Sequence, residues 1–506
     1  MSIQIKSAAF LGVEGVLINV EVDISYGLPN FNIVGLGDTA VKESKDRVRA
    51  AIINSKLEFP ISRITVNLAP AHIRKEGSHY DLPIAVGILT ATNQILMSDV
   101  NDFIFVGELS LNGAINKING ALPIVIEGVK QGIKNFVVPF GNKDECSCIE
   151  GANIYPMGNL KEVIHFFTYK DMKPYILDRD INESVSTTLD FCDVIGQQAA
   201  KRALEVAVAG NHNALMYGTP GSGKTMLAER IVSVMPPLNY EESLEVTKIY
   251  SVSGELKDLG LIGSRPFRNP HHTITNTALV GGGRNPSAGE ISLAHNGVLF
   301  LDEILEFDKK SLQVLRQPLE DRKIKLSRVS GTVIYPANFM LVAALNPCPC
   351  GKYGGVLNNC KCTDHEINRY LARLSGPLLD RIDIFTSVNP VSYGEINSNK
   401  VEETSEAIRR RIINARGIQS NRFESDGIKC NSEMTSKHIK SYCKLSENCA
   451  KILEYAYNRY GLSTRVYNRI LKVARTIADL DSNVNIEENH IIEALQYRKY
   501  VRQEII

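Results

Sequence analysis

One stretch constrains this chain more than any other: Asn213-Ala-Leu-Met-Tyr-Gly-Thr-Pro-Gly-Ser-Gly-Lys-Thr-Met-Leu-Ala, which holds Gly218-x-x-x-x-Gly223-Lys224-Thr225. A short apolar run, Ala214 to Tyr217, precedes the loop and reads as a buried strand; a helical run, Met226 to Met235, follows it. Glycines at 218, 221 and 223 allow the backbone to wrap closely, so that its N–H groups face a polyphosphate at a helix N-terminus. Gly218, Thr219, Pro220, Gly221, Ser222 and Gly223 are therefore expected to cradle phosphates, with Lys224 on the outer ones and the Thr225 hydroxyl on Mg²⁺. A chance glycine-rich turn would not need the flanking strand and helix. The chain is expected to bind a nucleoside triphosphate, ATP with Mg²⁺, on an α/β core.

A second pattern supports the first. Gly297-Val-Leu-Phe-Leu-Asp302-Glu303 is an apolar strand ending in two acids. Asp302 is placed to hold the Mg²⁺ shell and Glu303 to orient and activate water. Alone this pattern is common; downstream of a phosphate loop it is specific. Phe339-Met-Leu-Val-Ala-Ala-Leu-Asn346 is a further buried strand, ending in an amide.

At 506 residues the chain has room for about three domains. A formal net charge of +1 leaves no bulk basicity, so any nucleic-acid contact must come from local patches. No run of about 18 apolar residues offers a membrane span, and the N-terminus lacks a signal peptide's pattern. Ten cysteines beside a phosphate loop are expected to be reduced thiols, in the cytoplasm.

Residues 1–168 read as a mixed α+β domain. Strands are expected over Ile3 to Phe10, Gly15 to Ile24, Arg63 to Ala69 and Asn135 to Pro139, with a hairpin over Phe103 to Ile115. Helices are expected from Asp38, as cap, to about Ser55, and over Leu82 to Asn93 and Leu122 to Gln131.

Gly27-Leu-Pro-Asn-Phe-Asn-Ile-Val-Gly-Leu and Lys75-Glu-Gly-Ser-His-Tyr-Asp-Leu-Pro-Ile-Ala resemble the N-terminal domain of the ComM/YifB-type magnesium-chelatase-like AAA+ ATPases, a domain similar in fold to the Lon protease domain. Lon-type cleavage needs a Ser–Lys dyad. On this likeness His79 falls at the nucleophile position, Ser78 one residue off, and the lysine position falls near Leu122. The domain is expected to be a non-proteolytic platform. Residues 169–189 read as a linker, 190–395 as the ATPase core and 396–506 as a helical lid.

From Phe191 onward the resemblance implies further roles. Ile195, in Asp193-Val-Ile-Gly-Gln-Gln, would contact adenine; Asn346 would help place the attacking water as sensor 1. Arg381, in Leu378-Leu-Asp-Arg-Ile-Asp, would be an arginine finger acting on a neighbouring subunit, and Arg465 would be sensor 2 on the lid. For Arg373 an interface role and a solvated helix end both stay open. A finger acting in trans implies a ring, and the family a homo-hexamer. Lys323, Lys325 and Arg328 lie on an alternating hairpin just before sensor 1, of a kind that points into the pore of related ring helicases; they are the candidate DNA contacts, with Arg265, Arg268 and Arg284 of an upstream insert beside them. The function implied is ATP-driven translocation or branch migration on DNA. The alternative is a chelatase-type ATPase that remodels a protein partner.

Cys348-Pro-Cys350 and Cys360-Lys-Cys362 form two close pairs nine residues apart. Four such thiolates can hold a structural Zn²⁺, although one-residue spacing within a pair is tighter than the usual two to four. The alternative is an incidental reduced cluster. Arg409-Arg-Arg411, in the lid, reads as a solvated helix face.

Overall fold

The structure, a computed structural model, describes residues 2–177, 189–256, 260–283, 287–328, 331–353, 359–397 and 401–503. Arg284 lies outside the described residues, as does the side chain of Arg328.

The first layer is a seven-stranded mixed sheet. Its strands are β1 (Ile3–Leu11), β2 (Glu14–Ser25), β3 (Asn30–Val34), β4 (Arg63–Ala69), β5 (Phe103–Phe105), β6 (Asn135–Pro139) and β7 (Asn153–Met157), in the order β3-β4-β2-β1-β5-β6-β7. β2 pairs antiparallel with both β1 and β4, and every other pairing is parallel. Helix α1 (Thr39–Asn54) starts at Asp38, whose carboxylate accepts the Val41 N–H at 2.9 Å, and it buries Val41, Val48, Ala51 and Ile52. Helix α2 (Asp81–Ala91) is buried along nearly its whole length, so its continuous apolar run is a core helix rather than an amphipathic one. The segment expected as one hairpin divides in two. Phe103–Phe105 is β5, a parallel strand between β1 and β6, and only Glu108–Leu109 and Ile115–Asn116 form a small hairpin. Parallel strands are covered on both faces and show no alternation, so the run's apolar start did not mark it off from the hairpin that follows. Helix α3 (Ala121–Lys130) packs on β2, and α4 (Leu160–Tyr169) closes the layer.

The second layer is built around the phosphate-loop strand. Helix α5 (Gln198–Gly210) leads into β8 (Ala214–Tyr217), then α6 (Lys224–Val234) and α7 (Tyr240–Ser253). The strands β9 (Phe267–Arg268), β10 (Val298–Leu301), β13 (Met340–Leu345) and β14 (Ile384–Ser387) join β8 in an all-parallel sheet ordered β9-β10-β13-β8-β14. Both faces are covered: Ala214 and Met216 enter one apolar cluster, Leu215 the other. Between β10 and β13 the chain makes a two-stranded ribbon, β11 (Lys323–Arg328) and β12 (Gly331–Pro336).

The third layer is helical: α8 (Ser405–Arg422), α9 (Ser436–Tyr442), α10 (Glu447–Tyr460), α11 (Thr464–Leu480) and α12 (Glu488–Gln503). Its expected solvated arginine face is only partly so. Arg410 is exposed, but Arg409 donates to the Ser233 carbonyl and Arg411 pairs with Glu205 at 2.5 Å, so two of the three fasten the helices to the core.

The first two layers touch closely. The Gly120 N–H donates to the Ser251 carbonyl at 2.9 Å, the Tyr240 hydroxyl to the Cys148 carbonyl at 3.0 Å, and Leu244 packs into the cluster under α3. The β1–β2 turn reaches furthest: Val13 joins the apolar cluster that holds Ile324, Leu326, Val333 and Tyr335 of the ribbon. Gly12, left-handed with φ +64°, lies so near Val333 that any side chain there would overlap it.

Candidate active site

Strand register brings the expected residues together. Tyr217 pairs with Leu345, and the Gly218 N–H donates to the Leu345 carbonyl at 3.3 Å, which sets Asn346 beside the start of the loop. Leu301 pairs with Ala343, so Asp302 emerges on the same edge. This edge, at the C-terminal ends of parallel strands, is where open α/β sheets bind ligands.

Lys224 is almost fully buried, and its Nζ donates to the carbonyls of Gly218 and Thr219 at 2.7 and 3.0 Å and to Asn346 Oδ1 at 3.2 Å. Burial pushes its pKa down, opposed by the nearby charges of Asp302 and Glu303. Thr225 Oγ1 lies 2.8 Å from Asp302 Oδ2. Two hard oxygens at that spacing match adjacent corners of an octahedral Mg²⁺, whose oxygens at about 2.1 Å lie about 3 Å apart. Gly221 and Gly223 are left-handed, at φ +77° and +96°, and a Cβ at either would point into open space. Ser222 Oγ is buried without a partner among the described residues. The loop thus fits a polyphosphate. Glu303, left-handed at φ 49°, directs an exposed carboxylate next to Asp302, whose Oδ1 accepts the Glu303 N–H at 2.9 Å.

Ile195 is over a third exposed, and Gln197, two residues on, donates to the Ser222 carbonyl at 3.4 Å, so the expected adenine segment borders the loop. Arg465 is exposed in the first turn of α11. Arg381 is not a free finger in the single chain. It is buried, donating to the carbonyls of Arg316 (3.1 Å) and Pro377 (2.5 Å) and pairing with Glu320 at 2.5 Å. Arg373 is more exposed and donates to the Leu305 carbonyl at 2.8 Å.

Two residues that sequence reasoning quoted but gave no role join the core strands and lid. The Asn213 side chain accepts the Leu341 N–H and donates to the Arg381 carbonyl, both at 2.9 Å. Asp383 accepts the Asn213 N–H at 3.2 Å, pairs with Arg469 of α11 and lies 3.5 Å from His212 Nδ1. Burial opposes its charge, but Arg469 and His212 outweigh this and hold its carboxyl far below the usual carboxylate range. A polar residue heading a buried strand was the available signal for Asn213.

The ribbon presents Lys323 and Lys325 on its exposed face, with Ile324 and Leu326 buried behind. Two arginines of the insert, Arg265 and Arg268, do not extend this surface. Arg265 is tied to the carbonyls of Pro236 and Asn296 and to Glu242, and Arg268 is gripped by Glu290 and Glu255. These ion pairs close with partners 13 to 23 residues away, so the expectation of free cations is corrected for Arg265 and Arg268.

The sulfurs of Cys348, Cys350, Cys360 and Cys362 all lie within 4.8 Å of one another, with three spacings of 3.4, 3.7 and 3.6 Å. Tetrahedral thiolates at about 2.3 Å from Zn²⁺ stand about 3.8 Å apart, so this cluster can hold a metal. All ten cysteines are free. In the N-terminal layer Ser78 donates to Glu108, the buried Lys75 donates to the Pro70 carbonyl, and Leu122 is buried; His79 is buried against Tyr80. Burial lowers the His79 pKa to about 4.

A parallel five-stranded sheet, a glycine loop with lysine and threonine, and paired acids on the adjoining strand define an AAA+ phosphate-loop protein. Family models described as magnesium chelatase, subunit ChlI, match residues 190–396; as subunit ChlI of Mg-chelatase, residues 20–142; and as the ChlI C-terminal region, residues 402–498. The chain belongs to the ComM/YifB-type magnesium-chelatase-like AAA+ family. It is 43% identical over 503 residues to competence protein ComM of Haemophilus influenzae, covering 98% of this chain and 97% of that one. It is 44% identical over 498 residues to YifB of Escherichia coli, covering 98% and 96%. A shorter match, 28% identical over 166 residues, links 31% of the chain to 30% of Lon protease 2 of Bacillus subtilis. Membership implies ATP and Mg²⁺. Among the described residues no helix is long and apolar enough to cross a membrane.

Proposed function

We propose that this chain hydrolyses ATP as a homo-hexameric ring in the cytoplasm and couples hydrolysis to movement on DNA, including migration of branched junctions. One observation carries the coupling: the lysine-bearing ribbon ends at Pro336, and β13, starting four residues on, ends beside Asn346 at the nucleotide loop. A displacement at the phosphates can reach Lys323 and Lys325 through β13, the three-residue connection 337–339 and β12, whose Pro336 and Ile334 pair with the two lysines. The similarity to a protein named for competence supports DNA handling of that kind.

In this reading the backbone of the loop binds the phosphates, and Lys224 exchanges its carbonyl partners for phosphate oxygens. Thr225 and Asp302 hold Mg²⁺, which supplies charge neutralisation at the phosphates. Glu303, exposed and adjacent, orients a water and takes its proton; Asn346 fixes that water's position. Arg381 leaves Glu320 to reach the neighbour's nucleotide, and Arg465 reaches the chain's own nucleotide from the lid. Cys348, Cys350, Cys360 and Cys362 hold a structural Zn²⁺. The N-terminal layer is a platform without peptidase activity, since the dyad's lysine position falls near the buried Leu122 and Ser78 donates to Glu108.

ATPase rates with single-stranded, duplex and branched DNA at low salt test the coupling. Phosphate contacts make binding sequence-independent and salt-sensitive. Lys323→Ala with Lys325→Ala should abolish DNA stimulation and reduce the salt slope of DNA binding by about two. The alternative, a remodelling ATPase, draws on the exposed Tyr26, Leu28 and Ile61 of the N-terminal layer, apolar side chains suited to a protein partner. A hydrolysing ring that ignores every DNA form and responds only to a protein would decide for it.

A further inference from the structure

The cysteine cluster is not remote from the nucleotide loop. Asn346, which accepts from Lys224 Nζ, is followed by Pro347 and then by Cys348, which is buried in the core cluster beneath the sheet. Cys348 Sγ also accepts the Tyr353 N–H at 3.4 Å. The turn that carries the first two cysteines, closed by the Gly351 N–H donating to the Cys348 carbonyl at 2.9 Å, brings Gly351, the residue after Cys350 and left-handed at φ +75°, against the loop itself. A Cβ there would sit 2.5 Å from Pro220 Cγ and 2.6 Å from its Cδ. The cluster therefore meets the loop twice, through the chain at Asn346 and through space at Pro220.

We infer that the four-cysteine knot, when it holds Zn²⁺, is the wall that sets the shape of the phosphate loop, so that metal occupancy and nucleotide affinity are coupled, with Gly351 as the positioning residue at the contact. This rests on the reading above that the four thiolates bind Zn²⁺. Binding of the metal is what folds a knot of this size. Without it, the Gly351 turn loses its fixed place behind Pro220, and the loop must then be ordered by the nucleotide alone. Coupling of this kind is reciprocal: the factor by which zinc tightens nucleotide binding is the factor by which nucleotide tightens zinc.

The test uses the full chain, a fluorescent ATP analogue and a chromophoric zinc chelator. Protein purified without chelator should carry about one zinc per chain, as one four-thiolate site requires. Stripping the zinc should weaken nucleotide binding by roughly 5- to 100-fold, and saturating nucleotide should strengthen zinc retention by the same factor. Gly351→Ala should keep its zinc, because all four thiols remain, yet bind nucleotide at least about fivefold more weakly. Adding Pro220→Ala should recover part of that loss by making room for the methyl group. If Gly351→Ala does not fold, the stripped and reloaded parental protein still decides the matter. Zinc present with nucleotide affinity unchanged on stripping would overturn the coupling and leave the zinc site standing. No zinc in the folded protein would overturn both.

Discussion

Replacing Asp383 with alanine should loosen the helical layer from the ATPase core, and the structure sets the size of the effect. Asp383 is buried at the start of β14 and faces cations from the helical layer: Arg469 in direct contact, with Lys472 and Arg498 close enough to feel its charge. Breaking a buried ion pair from one side costs about 3–5 kcal/mol, because the partner is left uncompensated. Arg469 keeps a quarter of its side chain in solvent (24% exposed), which places the cost near the lower end, about 3 kcal/mol. At about 1.4 kcal/mol per decade, that is roughly a hundredfold in local opening. A chain with several layers does not unfold in one step, so a local probe is needed rather than a single melting curve. Amide hydrogen exchange should show protection falling about a hundredfold across α11 and β14, with amides of β1 and β2 unchanged as the internal control. The pH dependence follows from the sign of the shift. The carboxyl's pKa is depressed in the folded chain, so its contribution is complete above the unfolded value, about 3.9, and is lost as pH falls below it. Parental and variant proteins should therefore differ fully at pH 7, and the difference should begin to shrink only below about pH 4 and go on shrinking as pH falls toward the depressed folded value. A change of less than threefold in α11 at pH 7 would refute the clamp.

Other outcomes follow from the nucleotide site. Glu303→Gln should bind ATP with near-parental affinity yet lose turnover by a hundredfold or more, as removal of a water-activating group requires; single-turnover measurement would show it, and parental turnover would remove Glu303 from that role. Lys224→Ala should lose nucleotide binding itself, measured by titration with a fluorescent analogue, because it removes a cation whose hydrogen-bond partners among the described residues are two carbonyls and one amide. Arg381→Ala should bind nucleotide and fail to hydrolyse it, and mixing it with Lys224→Ala chains should restore some hydrolysis if the arginine serves a neighbour. No recovery in rings shown to be mixed would argue that Arg381 works only through its Glu320 pair.

The grouping of the candidate nucleotide residues was legible because loop, strand and helix are contiguous over Ala214 to Val234. The ribbon was legible for the same reason: Lys323, Ile324, Lys325 and Leu326 alternate between solvent and core. What was not legible depended on partners far along the chain. Arg268 reads as a free cation until Glu290 and Glu255 close on it, and Arg411 as solvated until Glu205, about two hundred residues earlier, meets it. Phe103–Phe105 has three apolar residues and no periodicity, and its neighbours are far along the chain: Ile104 pairs with Lys6 of β1, and Phe103 with Asn135 of β6. Arg381 was found by its motif, but its enclosure by Arg316, Pro377 and Glu320 belongs to a tertiary arrangement that no local pattern encodes.

The turn between β1 and β2 has a bearing on how experiments on this family are interpreted. Val13 and Gly12 cover the inner side of a two-stranded ribbon, and a ribbon of that size is marginal when left unsupported. A chain shortened to begin at residue 190 would leave Val333 and its neighbours facing water, while every nucleotide residue stayed in place. Loss of DNA response in such a shortened chain would not assign a DNA-binding or chemical role to the missing part. The β1–β2 turn and the ribbon share one apolar cluster, and single substitutions at Gly12 or Val13, rather than truncation, are what can separate support from activity.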